Sequence, residues 1–155
     1  ITVILMFIGA SPVSTGGGVK TTTIVVIFAT VISVLKGKDG TVFGKHKINQ
    51  KVVNSAIAIS VISLTYILVI TGFIAAIESE QNISMFNILL ETTSAYSTTG
   101  LSASVTANLS IVSKLILVLT MLIGRVGPLA LFLSVSGRKA NPNGKILPEG
   151  KVIVG

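Results

Sequence analysis

The chain has 155 residues, half of them hydrophobic and only 11% charged, with a mean hydropathy of +0.90. Soluble domains average about 25% charged residues, so this composition excludes an ordinary soluble protein and indicates a membrane protein. The lack of cysteine excludes disulfides and cysteine-based catalysis, and the net charge of +7 comes from lysines beside apolar segments rather than from a nucleic-acid-binding surface.

The opening segment, ITVILMFIGA (residues 1–10), has neither an initiator methionine nor a basic flank, and Pro12 follows it closely. These features do not fit a signal peptide. We expect the segment to be the end of a longer hydrophobic element. The chain is therefore expected to be the C-terminal part of a longer membrane protein.

A polar stretch, SPVSTGGGVKTTT (residues 11–23), runs into the apolar segment Thr21–Leu35. The wholly apolar part of that segment starts at Ile24 and is too short to cross a bilayer. It spans only if Val19, Lys20 and the threonines belong to it. We therefore expect the polar stretch to lie at membrane depth rather than on the surface.

The segment Lys36–Lys51 carries five lysines against one aspartate, so the positive-inside rule places it in the cytoplasm. The segment Val52–Ile77 has no charged residue and, at about 1.5 Å per residue, covers the roughly 30 Å hydrocarbon core. The helix before the basic loop is then expected to run inward and Val52–Ile77 outward. The acidic segment Glu78–Asn82 is expected outside the cell.

The apolar part of the next segment, Met85–Leu90, is too short to cross, and a hydroxyl-rich run that ends at Gly100 follows it. A helix that stops halfway and returns as extended chain is a re-entrant hairpin, which is tolerated only where it is buried or lines a cavity. The last span, Leu109–Gly137, is expected to run inward to a basic flank at residues 138–139.

Two stretches share a pattern: PVSTGGGVK and AYSTTGLSA each follow a short apolar helix and precede a spanning one, with Gly16 and Gly100 at matching places. A dehydrated cation needs oxygen ligands, which backbone carbonyls supply without net charge. Glycine permits the backbone angles that align them, and the C-terminal end of a half-helix favours a cation. Both stretches are therefore interpreted as strands of a cation filter. Helix packing through small residues is the alternative, while the spacing of GGGVKT excludes a nucleotide P-loop.

Arg125 lies inside the last apolar span, where a charge costs a few kcal/mol and usually faces a cavity or a partner. Counted from the external end, it falls below the filter, near the middle of the membrane. A cation there would raise a barrier in a cation path or would bind loop carbonyls, which favours a gate. The alternative is a structural pairing with Glu91, the one acid within a membrane segment.

Four motifs, FIGASPVSTGGGVKTTT, ETTSAYSTTGLS, IGRVGPLALF and PEGKVIVG, together resemble the Ktr/Trk/HKT family of potassium-translocating membrane subunits, most closely the bacterial KtrB subunits. The resemblance implies an all-α membrane protein of helix–pore-loop–helix repeats, like potassium channels. It implies that residues 1–51 hold the end of the third pore helix, the third filter strand, an inward helix and the basic loop. Residues 52–137 would form a complete fourth repeat, and residues 138–155 a cytoplasmic tail.

The resemblance also implies the site residues. The filter residues would be Ser14, Thr15, Gly16, Gly17, Thr98, Thr99, Gly100 and Leu101. An intramembrane loop would gate the pore together with the arginine of the last helix, and the gate residues would be Gly18, Lys20, Thr21, Thr22, Thr23 and Arg125.

The expected function is potassium uptake across the plasma membrane by a multi-pass protein that is not an enzyme and has no cofactor. Potassium would be the transported ion, with sodium coupling left open. The resemblance implies a homodimer in the bilayer and a cytosolic ring of nucleotide-binding regulatory subunits of the KtrA type, with no nucleic acid. A secondary transporter of another small solute, built from broken helices, is the alternative.

Overall fold

The computed structural model describes residues 1–11, 14, 16–37, 41–43, 46–79 and 83–127. These residues form a mainly helical structure, as expected. The elements in chain order are α1 (Thr2–Phe7), α2 (Thr21–Leu35), β1 (Val42–Phe43), β2 (His46–Lys47), α3 (Gln50–Ile77), α4 (Met85–Ser97) and α5 (Ile111–Val126). The two short strands pair antiparallel within the basic segment between α2 and α3.

Helix α3 is the longest element and is close to the predicted span. The Asn49 side chain accepts a hydrogen bond from the Lys51 N–H at 3.0 Å, which fixes the first turn. Its 28 residues make it about 42 Å long. Among the described residues it is the one helix both long and apolar enough to cross a membrane, while α2 is apolar but shorter.

Helix α4 is longer than the apolar pattern predicted, because the hydroxyl-rich run after Leu90 stays helical to Ser97. The hydroxyl groups donate hydrogen bonds to backbone carbonyls one turn earlier in the same helix. Thr93 Oγ1 donates to the Leu89 carbonyl at 2.7 Å, and Ser97 Oγ donates to the Thr93 carbonyl at 2.7 Å. The helix ends at Thr98, which adopts the left-handed conformation with φ 54°.

The interior of the helix packing is rich in hydroxyl groups, and much of the surface is apolar. Ser63 Oγ lies 2.6 Å from the Tyr96 hydroxyl, and Thr71 Oγ1 lies 2.7 Å from Thr92 Oγ1, so both pairs join α3 to α4. Exposed apolar side chains cover the outer faces of α3 and α5 and include Val61, Leu64, Leu68, Phe73, Leu115, Val118, Leu119 and Leu122. Small polar contacts inside and apolar side chains outside are typical of helices packed in a membrane.

The contacts that other elements make along the length of α3 give their positions relative to its two ends. The C-terminal end of α4 reaches the level of Ser63, the fourteenth of the 28 residues of α3, through the Tyr96 contact. The end of α3 meets the start of α5, because the Ser110 N–H donates to Glu78 Oε1 at 2.9 Å. Helix α4 therefore stops beside the middle of α3, and the chain then returns to the C-terminal end of α3.

Helices α1 and α2 lie at the level of opposite halves of α3. Helix α1 packs against α4, and a pocket between α1 and α3 is lined by Ile4, Leu64 and Leu68. A second pocket joins Val26 of α2 to Val52 and other residues of the N-terminal half of α3. The segment between α1 and α2 therefore lies near the middle of α3, where it interrupts the helical structure.

Candidate functional site

The second glycine motif follows α4 at mid-height and leads back along the helices. Thr98 is left-handed and Gly100 has φ 78°, and the residues that follow, Ser102 and Thr106, contact Glu91 in the middle of α4. A side chain at Gly100 would contact nothing within 4 Å, and Thr99, Gly100 and Leu101 are exposed. Helix α4 thus ends beside the middle of α3, and the segment after it leads back to the C-terminal end of α3.

The first glycine motif has a different geometry. The Gly9 N–H donates to the Val19 carbonyl at 2.8 Å, and residues 8 and 19 form a parallel bridge. The chain enters this segment from α1 and leaves it into α2, beside the other half of α3. The described residues Gly16–Lys20 of the first motif lead into α2, whereas the second motif is followed by a segment that returns to the C-terminal end of α3.

The two motifs meet at mid-height. The Gly17 N–H donates to Thr98 Oγ1 at 2.9 Å, and the Gly18 N–H donates to the Gly124 carbonyl of α5 at 3.3 Å. Lys20 Nζ donates to the Gly16 carbonyl at 2.9 Å, so the ammonium group lies on the loop that carries it. These contacts join the first motif, the end of α4 and the middle of α5 in one cluster.

Close backbone approach explains why glycines occupy this cluster. A Cβ atom at Gly124 would lie 1.8 Å from the Tyr96 carbonyl oxygen, and one at Gly9 would lie 2.2 Å from the Gly17 oxygen. Gly18 has φ 85°, which L-residues rarely adopt. At Gly124, the backbone that approaches closely is the end of α4.

The predicted site residues fall in three places. Gly16, Gly17, Gly18 and Lys20 belong to the loop between α1 and α2, together with Ser14, which is exposed. Thr21, Thr22 and Thr23 form the first turn of α2, and Arg125 is exposed in the last turn of α5, one residue after the Gly124 contact. Thr15 and the proposed tail, residues 138–155, lie outside the described residues.

The carboxyl group of Glu91 is buried and accepts three hydrogen bonds from the segment after the second motif. Oε1 accepts from the Ser102 hydroxyl and from the Ala103 N–H, the latter at 3.0 Å, and Oε2 accepts from Thr106 Oγ1 at 2.7 Å. These donors lie on the return segment and not on α5, so Glu91 has partners other than the arginine considered from the sequence.

A second buried carboxyl group, that of Glu78, joins the ends of α3 and α5. It accepts from the Ser110 N–H at 2.9 Å and from Ser113 Oγ at 2.6 Å. Hydrogen bonds from Ser110 and Ser113 lower the pKa of Glu78 from its ordinary value of 4.5, and the charge of Lys114 adds to this effect. Lys114 Nζ itself donates to the Ala107 carbonyl at 2.9 Å.

Several residues of the cluster were not identified from the sequence. No role was assigned from the sequence to Gly9, to Tyr96, or to the donors Ser102 and Thr106. Of these, Gly9 could have been found, because it is a glycine inside the motif FIGASPVSTGGGVKTTT. Within the described ranges, no group of three His, Asp, Glu or Cys side chains could hold a metal ion. The contacts of this site are instead backbone amides and carbonyls, hydroxyls and isolated charges.

Comparison with known proteins gives the family. Residues 1–146 match the family described as TrkH, cation transport protein. The chain is 38% identical over 154 residues to the Ktr system potassium uptake protein B of Bacillus subtilis, covering 99% of this chain and 34% of that protein.

Other relatives agree. The chain is 35% identical over 155 residues to the Ktr system potassium uptake protein B of Vibrio alginolyticus, covering 100% of this chain and 33% of that protein. It is 32% identical over 158 residues to the potassium/sodium uptake protein NtpJ of Enterococcus hirae, covering 100% of this chain and 35% of that protein. The chain thus spans about a third of the length of these relatives, and it belongs to the TrkH family of cation transport proteins.

Proposed function

We propose that this chain forms part of a potassium uptake pathway, in which the strand Thr98–Leu101 lines the ion filter and the loop Gly9–Lys20 gates it. The observation that carries the proposal is the hydrogen bond from the Gly17 N–H to Thr98 Oγ1, because it joins the two segments directly. The pathway is that of the full-length transporter, because the relatives are about three times longer than this chain.

The filter assignment for Thr98–Leu101 rests on the place where α4 ends. The helix stops beside the middle of α3, so its carbonyl end points toward a position at mid-depth. In an ordinary extended strand, successive carbonyl groups point to opposite sides. The strand after α4 has positive φ at Thr98 and Gly100, which allows neighbouring carbonyl groups to point to the same side. Such oxygens can replace the hydration shell of a potassium ion.

The first motif is proposed to be the gate over its whole length, including Ser14, Thr15, Gly16 and Gly17, which the sequence pattern had placed in a filter. The described residues Gly16–Lys20 hydrogen-bond to Thr98 and Gly124 and lead directly into α2, whereas the strand Thr98–Leu101 leads back toward the C-terminal end of α3. The loop interrupts the path from α1 to α2 at mid-depth, beneath that strand. The sequence pattern treated both motifs as equivalent because their glycines and hydroxyls match, although the first leads directly into α2 and the second is followed by a segment that returns to the C-terminal end of α3 before α5 begins.

Two cations are proposed to close the path. Lys20 places its ammonium group on the Gly16 carbonyl, and Arg125 is exposed one residue beyond the contact of α5 with the loop. A potassium ion that passes the strand would meet both positive charges while the loop is in this position. Movement of the loop away from Thr98 and Gly124 would open the path.

The surrounding assembly is part of the same proposal. The protein is expected to be a multi-pass plasma-membrane homodimer, with the basic segment between α2 and α3 facing a cytosolic ring of regulatory subunits. Coupling of potassium uptake to sodium is a second form of the proposal, because one relative is named for both potassium and sodium uptake. A secondary transporter of another solute is not favoured, because the relatives are named for potassium or cation transport.

The test compares Gly100→Ser with Gly37→Ser in the full-length protein, expressed with its regulatory partner in cells that lack potassium uptake. Both glycines have positive φ, 78° and 61°, and neither would place a Cβ atom within 4 Å of another residue. The backbone strain is therefore matched, and only Gly100 lies on the proposed filter.

Gly100→Ser is expected to raise the potassium concentration needed for half-maximal rubidium uptake and to admit sodium, while Gly37→Ser behaves as wild type. If the two variants behave alike, the filter assignment is wrong. If wild type itself does not restore growth at low potassium, the proposed function is wrong.

A further inference from the structure

We propose that Glu91 is a positioning residue that sets ion selectivity by holding the outer end of the strand Thr98–Leu101. The inference rests on the proposed function and goes beyond it, because Glu91 does not belong to the filter or to the gate. It would act on the ion only through the strand.

The contacts of Glu91 are concentrated on one short turn. Ser102 and Ala103, which follow the strand directly, both donate to Oε1, and Thr106 donates to Oε2. Ser102 Oγ also accepts from the Ser104 N–H at 3.0 Å and lies 3.1 Å from Thr106 Oγ1. One carboxyl group thus organises the turn that begins where the strand ends.

Packing alone does not hold the strand in place on that side. A cavity of about 340 Å³ is lined by Gly100 and Leu101 of the strand and by Leu117 and Met121 of α5. Gly100 has no atom within 4 Å of the position of a Cβ. The strand is fixed at its start by the end of α4 and at its finish by the hydrogen bonds to Glu91.

The carboxyl group is suited to this task because it is buried on a rigid helix. Glu91 is 6% exposed and lies in the middle of α4, seven residues before Thr98. Carboxyl oxygens accept several hydrogen bonds at once, and bonds to a charged acceptor are shorter and stronger than neutral ones. An amide at the same position would keep one acceptor oxygen and replace the other with a donor, which repels the donors of the return segment.

Glu78 supplies a matched control. It is also a buried carboxyl group that accepts from one backbone N–H and one serine hydroxyl, and it also fixes a loop to a helix end. Its partners are at the start of α5 and not at the strand. A general loss of stability would therefore follow from Glu78→Gln as readily as from Glu91→Gln, whereas a loss of selectivity would follow only from the latter.

The experiment measures rubidium uptake, and its competition by sodium, for wild type, Glu91→Gln, Glu78→Gln and Thr106→Val in full-length protein, normalised to the amount in the membrane. Glu91→Gln is expected to lower the preference for potassium over sodium about tenfold, which corresponds to slightly less than the free energy of one hydrogen bond to a charged group. Thr106→Val, which removes one donor and leaves Glu91, should move selectivity in the same direction by a smaller factor. Glu78→Gln should reduce only the amount of protein.

Unchanged selectivity in Glu91→Gln, with protein present, would overturn the proposal, and so would an equal change in Glu78→Gln. If Glu91→Gln does not reach the membrane, Thr106→Val decides, and wild-type selectivity in that variant overturns the proposal. Failure of wild type to take up rubidium would instead refute the proposed function, so the two failures are distinguishable.

Discussion

Replacing Gly124 by alanine tests the contact between α5 and the end of α4. The added Cβ would lie 1.8 Å from the Tyr96 carbonyl oxygen, 2.7 Å from its carbon and 3.0 Å from its Cα. Ordinary contact begins at 3.4 Å, so the two backbones must separate by 3.4 − 1.8 = 1.6 Å. The atoms that must move are backbone atoms on both sides, and no flexible side chain can yield.

The separation has two measurable consequences. Overpacking of this kind typically costs about 1–3 kcal/mol, so the protein should unfold at a lower temperature. Tyr96 lies two residues before Thr98, so the clash should displace the proposed filter strand, and an open gate cannot compensate for a displaced filter. We expect rubidium uptake by Gly124→Ala to fall at least tenfold per molecule.

The matched control is Gly72→Ala on α3, where a Cβ would meet nothing within 4 Å. Alanine is favoured over glycine inside a helix by about 0.5–1 kcal/mol, so this variant should be as stable as wild type or slightly more so. Thermal unfolding in detergent and uptake in cells give both quantities. Wild-type stability and uptake in Gly124→Ala would refute the close contact from which the effect is derived.

Further predictions concern single groups of the same cluster. Thr98→Val removes the acceptor for the Gly17 N–H and should raise basal uptake when the regulatory partner is absent. Thr98→Ser keeps the hydroxyl and should leave basal uptake unchanged. Equal uptake by the two variants would contradict a gating role for the hydrogen bond between Gly17 and Thr98. Glu78 has a pKa below 4.5 when folded, so its stabilisation is present above pH 4.5 and is lost as the pH falls through the folded value. Thermal scans from pH 7 to pH 3 should therefore show a smaller acid loss for Glu78→Gln than for wild type. Gly18→Ala must adopt φ 85° with its Cβ 3.2 Å from the Gly9 Cα, and a melting temperature equal to that of wild type would argue against this geometry.

The apolar segments were the most predictable part of the structure. Helix α2 matches the run Thr21–Leu35, because Lys36 and Gly37 stop it, and α3 extends the predicted span by only two residues, to Gln50. The helical part of α4 was underestimated at Met85–Leu90. Apolar character was the criterion there, and the hydroxyls that follow satisfy themselves on carbonyls one turn back, which a polarity pattern does not register.

The contacts between segments could not be read from the sequence. Matching glycines made the two motifs look equivalent, but Gly100 has a left-handed backbone, whereas a Cβ atom at Gly16 would lie 2.6 Å from the Ala10 Cβ. These are different physical needs that one residue type meets. Likewise, Glu91 was noted as an isolated acid, and its partners on the return segment depend on how the chain folds back, which no spacing rule gives.

The hydroxyl pairs between α3 and α4 have a consequence for how this sequence can change over evolution. Ser63 and Tyr96 form a buried pair in which each hydroxyl is the partner of the other, whereas Thr71 and Thr92 each also donate to a carbonyl of their own helix. Deleting the hydroxyl of Ser63 or of Tyr96 leaves the other without its partner at a cost of about 1–3 kcal/mol, while replacing both with apolar groups of the same shape can be nearly neutral. Ser63 and Tyr96 should therefore exchange together, and single changes there should be rare intermediates between two acceptable states.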